Sequence, residues 1–207
     1  MKMNDELIRC KWVENGDELI KKYHDEEWGK FTNNDQKLFE ALILESFQAG
    51  LSFSCVLKKR NNLKKAFDDF DIDKIIQYDD KKIRELMENK EIIRNRLKIK
   101  ATINNARIFK EIQLEFKSFY NYIHHFNNYK INYEEYQLYT KSNLSDLISK
   151  DLKKRGMKFI GSTIIYSYLQ AIGIIFPHSK NCFCYQNISS IKIGFNKYKL
   201  NERKNIL

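Results

Sequence analysis

The sequence predicts an all-α protein, on three observations. Apolar residues recur at helical spacing along most of the 207-residue chain. Its seven glycines (Gly16, Gly29, Gly50, Gly156, Gly161, Gly173 and Gly194) fall between those periodic segments, and its only proline is Pro177, so long helices meet few breakers. No convincing run of alternating polarity competes for strand.

In chain order, Asp35 is placed to cap a helix running to about Ala49, and Gly50 to end it in a left-handed turn. Ser52 is placed to cap the next helix, through Leu57, Ala66 and Phe67, which makes a tight helix–Gly–Leu–Ser–helix corner. Further 3.6-residue patterns predict helices from Asp80 to Asn89, Leu97 to Phe116, Phe119 to Phe126, Ser145 to Arg155 and Ser162 to Ile172. The polar, tyrosine-rich stretch from Asn127 to Asn143 reads as a long surface loop that either joins two lobes or decorates one. After Tyr185, Lys192, Lys197, Lys199, Arg203 and Lys204 face only Glu202, which predicts a basic extension with disorder as its default state. Residues 1–185 are therefore read as one domain, with two helical lobes around a cleft as the open alternative, and 186–207 as a basic tail.

Thirty-seven basic residues against 27 acidic ones leave a formal charge of +10. Such a balance favours an anionic partner such as nucleic acid, although a composition rich in Lys, Asn and Ile also fits an AT-rich genome. The first ten residues lack an apolar signal region, and no run approaches the ~20 apolar residues of a membrane span, so a soluble, cytoplasmic protein is expected. Cys10, Cys55, Cys182 and Cys184 are too few and too dispersed for a disulfide framework, which points to reduced thiols or metal ligation.

Three constellations carry chemistry. Glu45 stands at helical spacing from Ala41, Leu42 and Leu38, and its neighbours three and four positions away are Leu42, Ala41, Gln48 and Ala49, with no Lys or Arg among them. Either this carboxylate turns to water near Gly50, or it is buried and awaits a ligand that carries donors. Cys10 and His24 near one end, with His178 and Cys182 in a His-x-x-x-Cys pattern near the other, supply two thiolates and two imidazoles, the donor set of a closed, structural zinc site; Cys184 competes with Cys182 for the last place. Finally, Lys153-Lys154-Arg155-Gly156-Met157-Lys158-Phe159-Ile160-Gly161-Ser162-Thr163 joins two helices through a glycine-bounded turn with four cationic side chains, a helix-hairpin-helix pattern. Backbone N–H groups at the start of its second helix attract a phosphate, and the lysines add sequence-independent affinity. The pair His124-His125 points to two helix faces and is read as packing or surface.

Several ordered motifs resemble the DNA-3-methyladenine glycosylase type I family from Cys10 to about Tyr185. They are Arg9-Cys10-Lys11-Trp12, Tyr23-His24-Asp25-Glu26-Glu27-Trp28-Gly29, Leu44-Glu45-Ser46-Phe47-Gln48-Ala49-Gly50-Leu51-Ser52, Ile92-Ile93-Arg94 with Asn105-Ala106-Arg107, and the Lys153 to Thr163 hairpin. The resemblance implies a helix-hairpin-helix glycosylase fold in which Cys10, His24, His178 and Cys182 hold a structural Zn2+ that ties the terminal segments together. It implies excision of 3-methyladenine from double-stranded DNA by base flipping, in a monomer. The lesion pocket maps onto Trp12, Tyr23, Trp28, Glu45 and Phe53, with Glu45 as the recognition and electrostatic group. DNA contacts map onto Gly50, Leu51, Lys153, Lys154, Arg155, Lys158, Gly161 and Ser162.

The chemistry implied is consistent with the residues. Alkylation at N3 leaves adenine cationic, so the leaving group is already activated. From Phe159 to Tyr185 there is no Asp or Glu, and many helix-hairpin-helix glycosylases carry a catalytic aspartate just beyond the hairpin. Aromatic faces add cation–π attraction of about 0.5 to 2 kcal/mol, and an acceptor-only carboxylate rejects bases that offer no donor. With water as the nucleophile and no lysine placed for a Schiff base, strand cleavage is not expected. Phe53 stands where the family usually has tryptophan, and Phe47 where glutamine is commoner. These departures support a second reading, a damage-binding protein without efficient excision. A third is a zinc-stapled nucleic-acid module unrelated to repair, which leaves Glu45 without a partner.

Overall fold

The computed structural model describes residues 7–128, 130, 132–133 and 139–185. The predicted basic tail, and most of the middle of the predicted loop, lie outside them. The chain divides into two compact units, one within Met1–Phe31, Ile131–Tyr139 and Gln170–Leu207, the other within Thr32–Lys130 and Thr140–Leu169.

All the regular structure among the second unit's described residues is helical. Helix α1 (Glu18–Glu26) belongs to the first unit, and the second opens with α2 (Asp35–Gln48), followed by α3 (Phe53–Lys58), α4 (Arg60–Ala66), α5 (Ile72–Ile75), α6 (Asp80–Glu88), α7 (Arg96–Phe116), α8 (Phe119–Asn127) and α9 (Asn143–Lys154). Helix α10 (Ser162–Ala171) follows, and the unit ends within it at Leu169. Phe39, Phe47, Phe67, Phe70, Phe109, Phe119, Tyr122 and Tyr168 are fully buried, with Phe109 stacked on Phe119 at 4.0 Å between ring centres. Phe47 packs edge-on against Phe67, so the large apolar side chain at that position fills core.

Two predicted boundaries are corrected. Asn34, not Asp35, caps α2 by accepting from the Lys37 N–H at 3.0 Å; the Asp35 carboxylate instead accepts from the Phe119 and Tyr120 N–H groups that open α8. The helix expected from Ser52 through Phe67 is two, because the chain turns at Lys59 between α3 and α4. Gly50 takes the left-handed conformation expected (φ +77°). With Ala49 at φ −50°, ψ 112° and the Leu51 N–H donating to the Gln48 carbonyl, the corner is a type II turn, whose third position requires positive φ. The helix α9 ends in paired bonds, Gly156 N–H to Lys153 O and Met157 N–H to Leu152 O, around a left-handed Gly156 (φ +100°). His124 is buried against Tyr120 and bonded to Asn127, while His125 is exposed, so the pair serves packing and surface as read from sequence.

In the first unit, α1 was not predicted as a helix. Asp17 caps it and it buries Ile20, Tyr23 and His24 on one face. A short parallel pair joins β1 (Asn132–Tyr133) to β2 (Ile175–Phe176), the only strands among the described residues. Gly29 and Gly173 both have positive φ and lie back to back: a Cβ on Gly173 would stand 2.6 Å from the Gly29 carbonyl, and one on Gly29 would stand 2.5 Å from Pro177. Glycine at both places lets the segment after α1 seat against the segment carrying His178.

Candidate functional site

In the first unit, residues 168 positions apart converge. Cys10, His24, His178 and Cys182 are all buried, and one ligand atom from each lies within 4.8 Å of the others. Cys10 Sγ is 3.7 Å from His178 Nδ1, and Cys182 Sγ is 3.6 Å from His24 Nε2 and 3.7 Å from His178 Nδ1. Sulfur at ~2.3 Å and nitrogen at ~2.0–2.1 Å from one tetrahedral centre are about 3.6 Å apart, so the quartet fits a metal ion in donor type and spacing. Cys182 is therefore the fourth member. Cys184 pairs with His24 and Asp25 in a second, overlapping group, and burial with the neighbouring Cys182 pushes its thiol up to about 12.

Both histidines are oriented from behind. His24 Nδ1 is 2.7 Å from Asp25 Oδ1, which leaves Nε2 facing the cluster. Asp25 is itself gripped by Arg9, whose Nε and Nη2 donate at 2.8–3.0 Å. His178 Nε2 is 3.2 Å from the Trp28 carbonyl, which leaves Nδ1 facing the cluster. Such partners fix the ring orientation and tautomer of a ligating imidazole. Cys182 is held well below the ordinary thiol range by the hydrogen bond from Cys10 and those to His178 and His24, against the effect of burial. Burial alone lowers the His24 imidazole, but the Cys182 and Asp25 contacts outweigh it and its pKa is raised. Arg9 and Asp25 lie in quoted motifs, yet sequence reasoning gave them no role.

The aromatic candidates Trp12, Tyr23 and Trp28 belong to the same unit. Trp12 is 37% exposed and meets Trp28 edge-on at 4.9 Å, while Tyr23 and Trp28 are largely buried. Trp12 also contacts the His24 ring at 5.8 Å, and Trp28 the His178 ring at 5.0 Å.

In the second unit, Glu45 is 4% exposed, and its Oε2 has no hydrogen-bond partner. The outward-turned alternative is thereby excluded. Burial raises its carboxyl to about 8, so the neutral acid prevails at neutral pH. The helix that carries Glu45 ends at Gln48 and leads through the Gly50 turn to Leu51, which is 41% exposed; Phe53, half-buried, opens α3 behind the Ser52 cap.

The predicted hairpin lies between α9 and α10. Lys153, Lys154 and Lys158 are exposed. Arg155 is engaged instead: it donates to Glu115 and Asp151 at 2.6–3.2 Å and lies over the Phe116 and Tyr122 rings, so its guanidinium is committed to the fold. The Ser162 hydroxyl is bonded to Asp146 and Ser145, and Gly161 precedes the first turn of α10. From α7, Asn104 donates to the Gly156 carbonyl at 3.0 Å, while Asn105 donates to the Lys158 carbonyl and accepts from its N–H, both at 2.9 Å. The quoted Asn105-Ala106-Arg107 motif held this signal, but nothing in its spacing named the partner.

A mostly helical protein with a buried acid whose Oε2 is unpartnered, six residues before an exposed leucine, and a lysine-rich helical hairpin, has the make-up of a nucleic-acid-processing enzyme. Comparison with known proteins narrows the class. Residues 12–185 match the family model described as methyladenine glycosylase, and the chain belongs to that family. It is 40% identical, over 86% of its own length and 97% of the relative's, to DNA-3-methyladenine glycosylase 1 of Escherichia coli (strain K12). A crystal structure of 3-methyladenine DNA glycosylase I matches with a TM-score of 0.82 at 40% identity, covering 86% of this chain and all of that one. The Staphylococcus aureus 3-methyladenine DNA glycosylase I, whose structure is described as the basis of 3-methyladenine recognition, matches with a TM-score of 0.78 at 33% identity over 81% of this chain and 92% of that one.

Proposed function

We propose that this chain is a monofunctional DNA glycosylase of base excision repair that removes 3-methyladenine from double-stranded DNA. Family membership supports the activity, and one observation carries the mechanism: Glu45 is a buried acid whose Oε2 lacks any partner. Unmet hydrogen-bonding capacity of that kind is costly, and a cationic purine relieves it by supplying both donors and positive charge.

The lesion is flipped from the duplex and its adenine edge donates to Glu45, which ionises beside the cation by releasing its proton to solvent. Phe53, which opens α3 beyond the Gly50 turn, supplies an aromatic face whose attraction for a cation is absent for undamaged adenine; the family resemblance gives the same part to Trp12, Tyr23 and Trp28. Water attacks C1′ of the deoxyribose, and the C1′–N9 bond breaks with its electron pair going to the base. Neutral 3-methyladenine leaves, and the water's proton passes to solvent. Glu45 acts through electrostatics and recognition, so it never bonds to the sugar.

Leu51, exposed at the Gly50 turn, fills the gap left by the flipped nucleotide. Lys153, Lys154 and Lys158, with the first-turn N–H groups after Gly161 and Ser162, hold the DNA backbone. The engagement of Arg155 by two carboxylates removes it from that set. Cys10, His24, His178 and Cys182 would hold Zn2+, which would contribute folding energy there rather than reactive chemistry. The chain works as a monomer on chromosomal DNA in the cytoplasm; no described helix is long and apolar enough to cross a membrane.

The test is incubation with methylated duplex DNA and analysis of the released bases. Free 3-methyladenine from the native chain, reduced on the order of a hundredfold by Glu45→Gln, is expected. Binding of the methylated duplex without release of base would instead establish the damage-binding reading.

A further inference from the structure

Lys98 is a buried lysine that the mechanism does not use. It is 5% exposed, and its ammonium donates to the carbonyls of Phe47 at 2.7 Å and Ala49 at 2.6 Å. Those carbonyls lie at the C-terminus of α2, where the helix has no bonds left to offer them and where a cation is favoured. Lys98 thus fixes the base of the Gly50–Leu51 turn, four residues beyond Glu45. Seven residues further along α7, Asn105, fully buried, bonds in both directions to the peptide of Lys158 in the hairpin. Seven residues are close to two full turns, so Lys98 and Asn105 share a face of α7 about 10.5 Å apart.

We propose that α7 is a spacing bar for DNA engagement, with Lys98 and Asn105 as positioning residues that hold the leucine corner and the phosphate-gripping hairpin at a fixed separation. The inference rests on the reading of Leu51 and the hairpin given above. A duplex gripped at its phosphates presents its base stack at a set distance, so an inserting side chain must stand at that distance as well. An ångström of slack there is enough to slow a reaction about a hundredfold. A carboxamide that bonds a peptide from both sides, and an ammonium shared between two carbonyls, each remove such slack.

A double-mutant cycle of Lys98→Met and Asn105→Ala tests this. Excision from methylated duplex is expected to fall roughly 10- to 100-fold in each single variant, with binding of free 3-methyladenine unchanged within about twofold. Residues about 10 Å apart with no shared partner ordinarily act independently. Here the double variant is expected within about threefold of the slower single one, because the separation is lost once either end is released. Losses that multiply, undiminished excision, or free-base affinity lost in step with excision would overturn the proposal. If either variant fails to keep its helical circular dichroism, the cycle is run with Lys98→Arg and Asn105→Asp under the same criteria. A native chain that released no 3-methyladenine would refute the assigned activity. The cycle would then be read on base flipping, from a fluorescent purine placed beside the target in the duplex, so the two failures are separable.

Discussion

At Glu45 the sequence left two orientations open, since the absence of Lys or Arg one turn away fits a solvent-facing acid as well as a buried one. Burial was decided by packing from residues distant in sequence, which spacing on one helix does not report. Its consequence is a pH dependence whose sign is fixed. The folded carboxyl is raised by burial to about 8 from its ordinary value of 4.5, so the native state holds a proton that the unfolded chain releases. Stability from this group is fully present below about 4.5 and is lost as pH rises through about 8. Denaturant unfolding of Glu45→Gln should accordingly show less decline over that interval than the native chain. Catalysis runs the other way, because the cationic lesion prefers the ionised acid. For the native chain, kcat/KM on methylated DNA is expected to climb about tenfold per pH unit toward pH 8 and then level, with a flat profile for Glu45→Gln. Parallel profiles for the two would remove Glu45 from the role assigned to it.

Among the elements, the long helix α7 was legible almost to the residue, because its periodicity runs unbroken and Asn95 caps it locally. The break at Lys59 was not, since the apolar pattern continues across it, and α1 was overlooked because much of its surface is charged. The hairpin was legible as a basic turn, but not in which of its cations remain available. Arg155 shares its sequence neighbourhood with Lys153 and Lys154, yet Glu115, forty positions away, occupies it. This difference separates two kinds of variant. Lys153→Ala, Lys154→Ala and Lys158→Ala should each lower the slope of log K against log [salt] for duplex binding by about 0.9, and weaken binding alike across sequences. Arg155→Ala should leave that slope unchanged and destabilise the fold by roughly 1 kcal/mol, through partly exposed ion pairs and lost packing over two rings. A slope reduced by Arg155→Ala would show that its carboxylate partners release it to DNA.

At the scale of the whole molecule, the two units are stabilised by different means. The unit around α2 to α9 has an aromatic core and long helices, whereas the described part of the other has one nine-residue α-helix, a three-residue 3-10 turn at Lys11–Val13 and a pair of two-residue strands. So little regular structure rarely supports itself without a staple, and the buried quartet of two thiols and two imidazoles is placed to provide one. Its residues were legible in the sequence as two thiols and two imidazoles of the right kind, but positions 10, 24, 178 and 182 have no compact local spacing, so the sequence left Cys184 competing with Cys182 until the fold brought the four together. The chain's two tryptophans, Trp12 and Trp28, both touch histidines of the quartet, so intrinsic fluorescence reports on this centre directly. Removing metal with a strong chelator should shift and broaden that emission, while most far-UV helical signal, arising from α2 to α9, persists. Re-adding Zn2+ should restore the emission at one equivalent, and Co2+ should give the visible spectrum of a tetrahedral site with two sulfur and two nitrogen ligands. Asp25→Asn, which keeps the size of the group behind His24 but removes its charge, should weaken metal binding by about 10- to 100-fold. Fluorescence indifferent to verified metal loss would mean that packing alone holds the tryptophans in place.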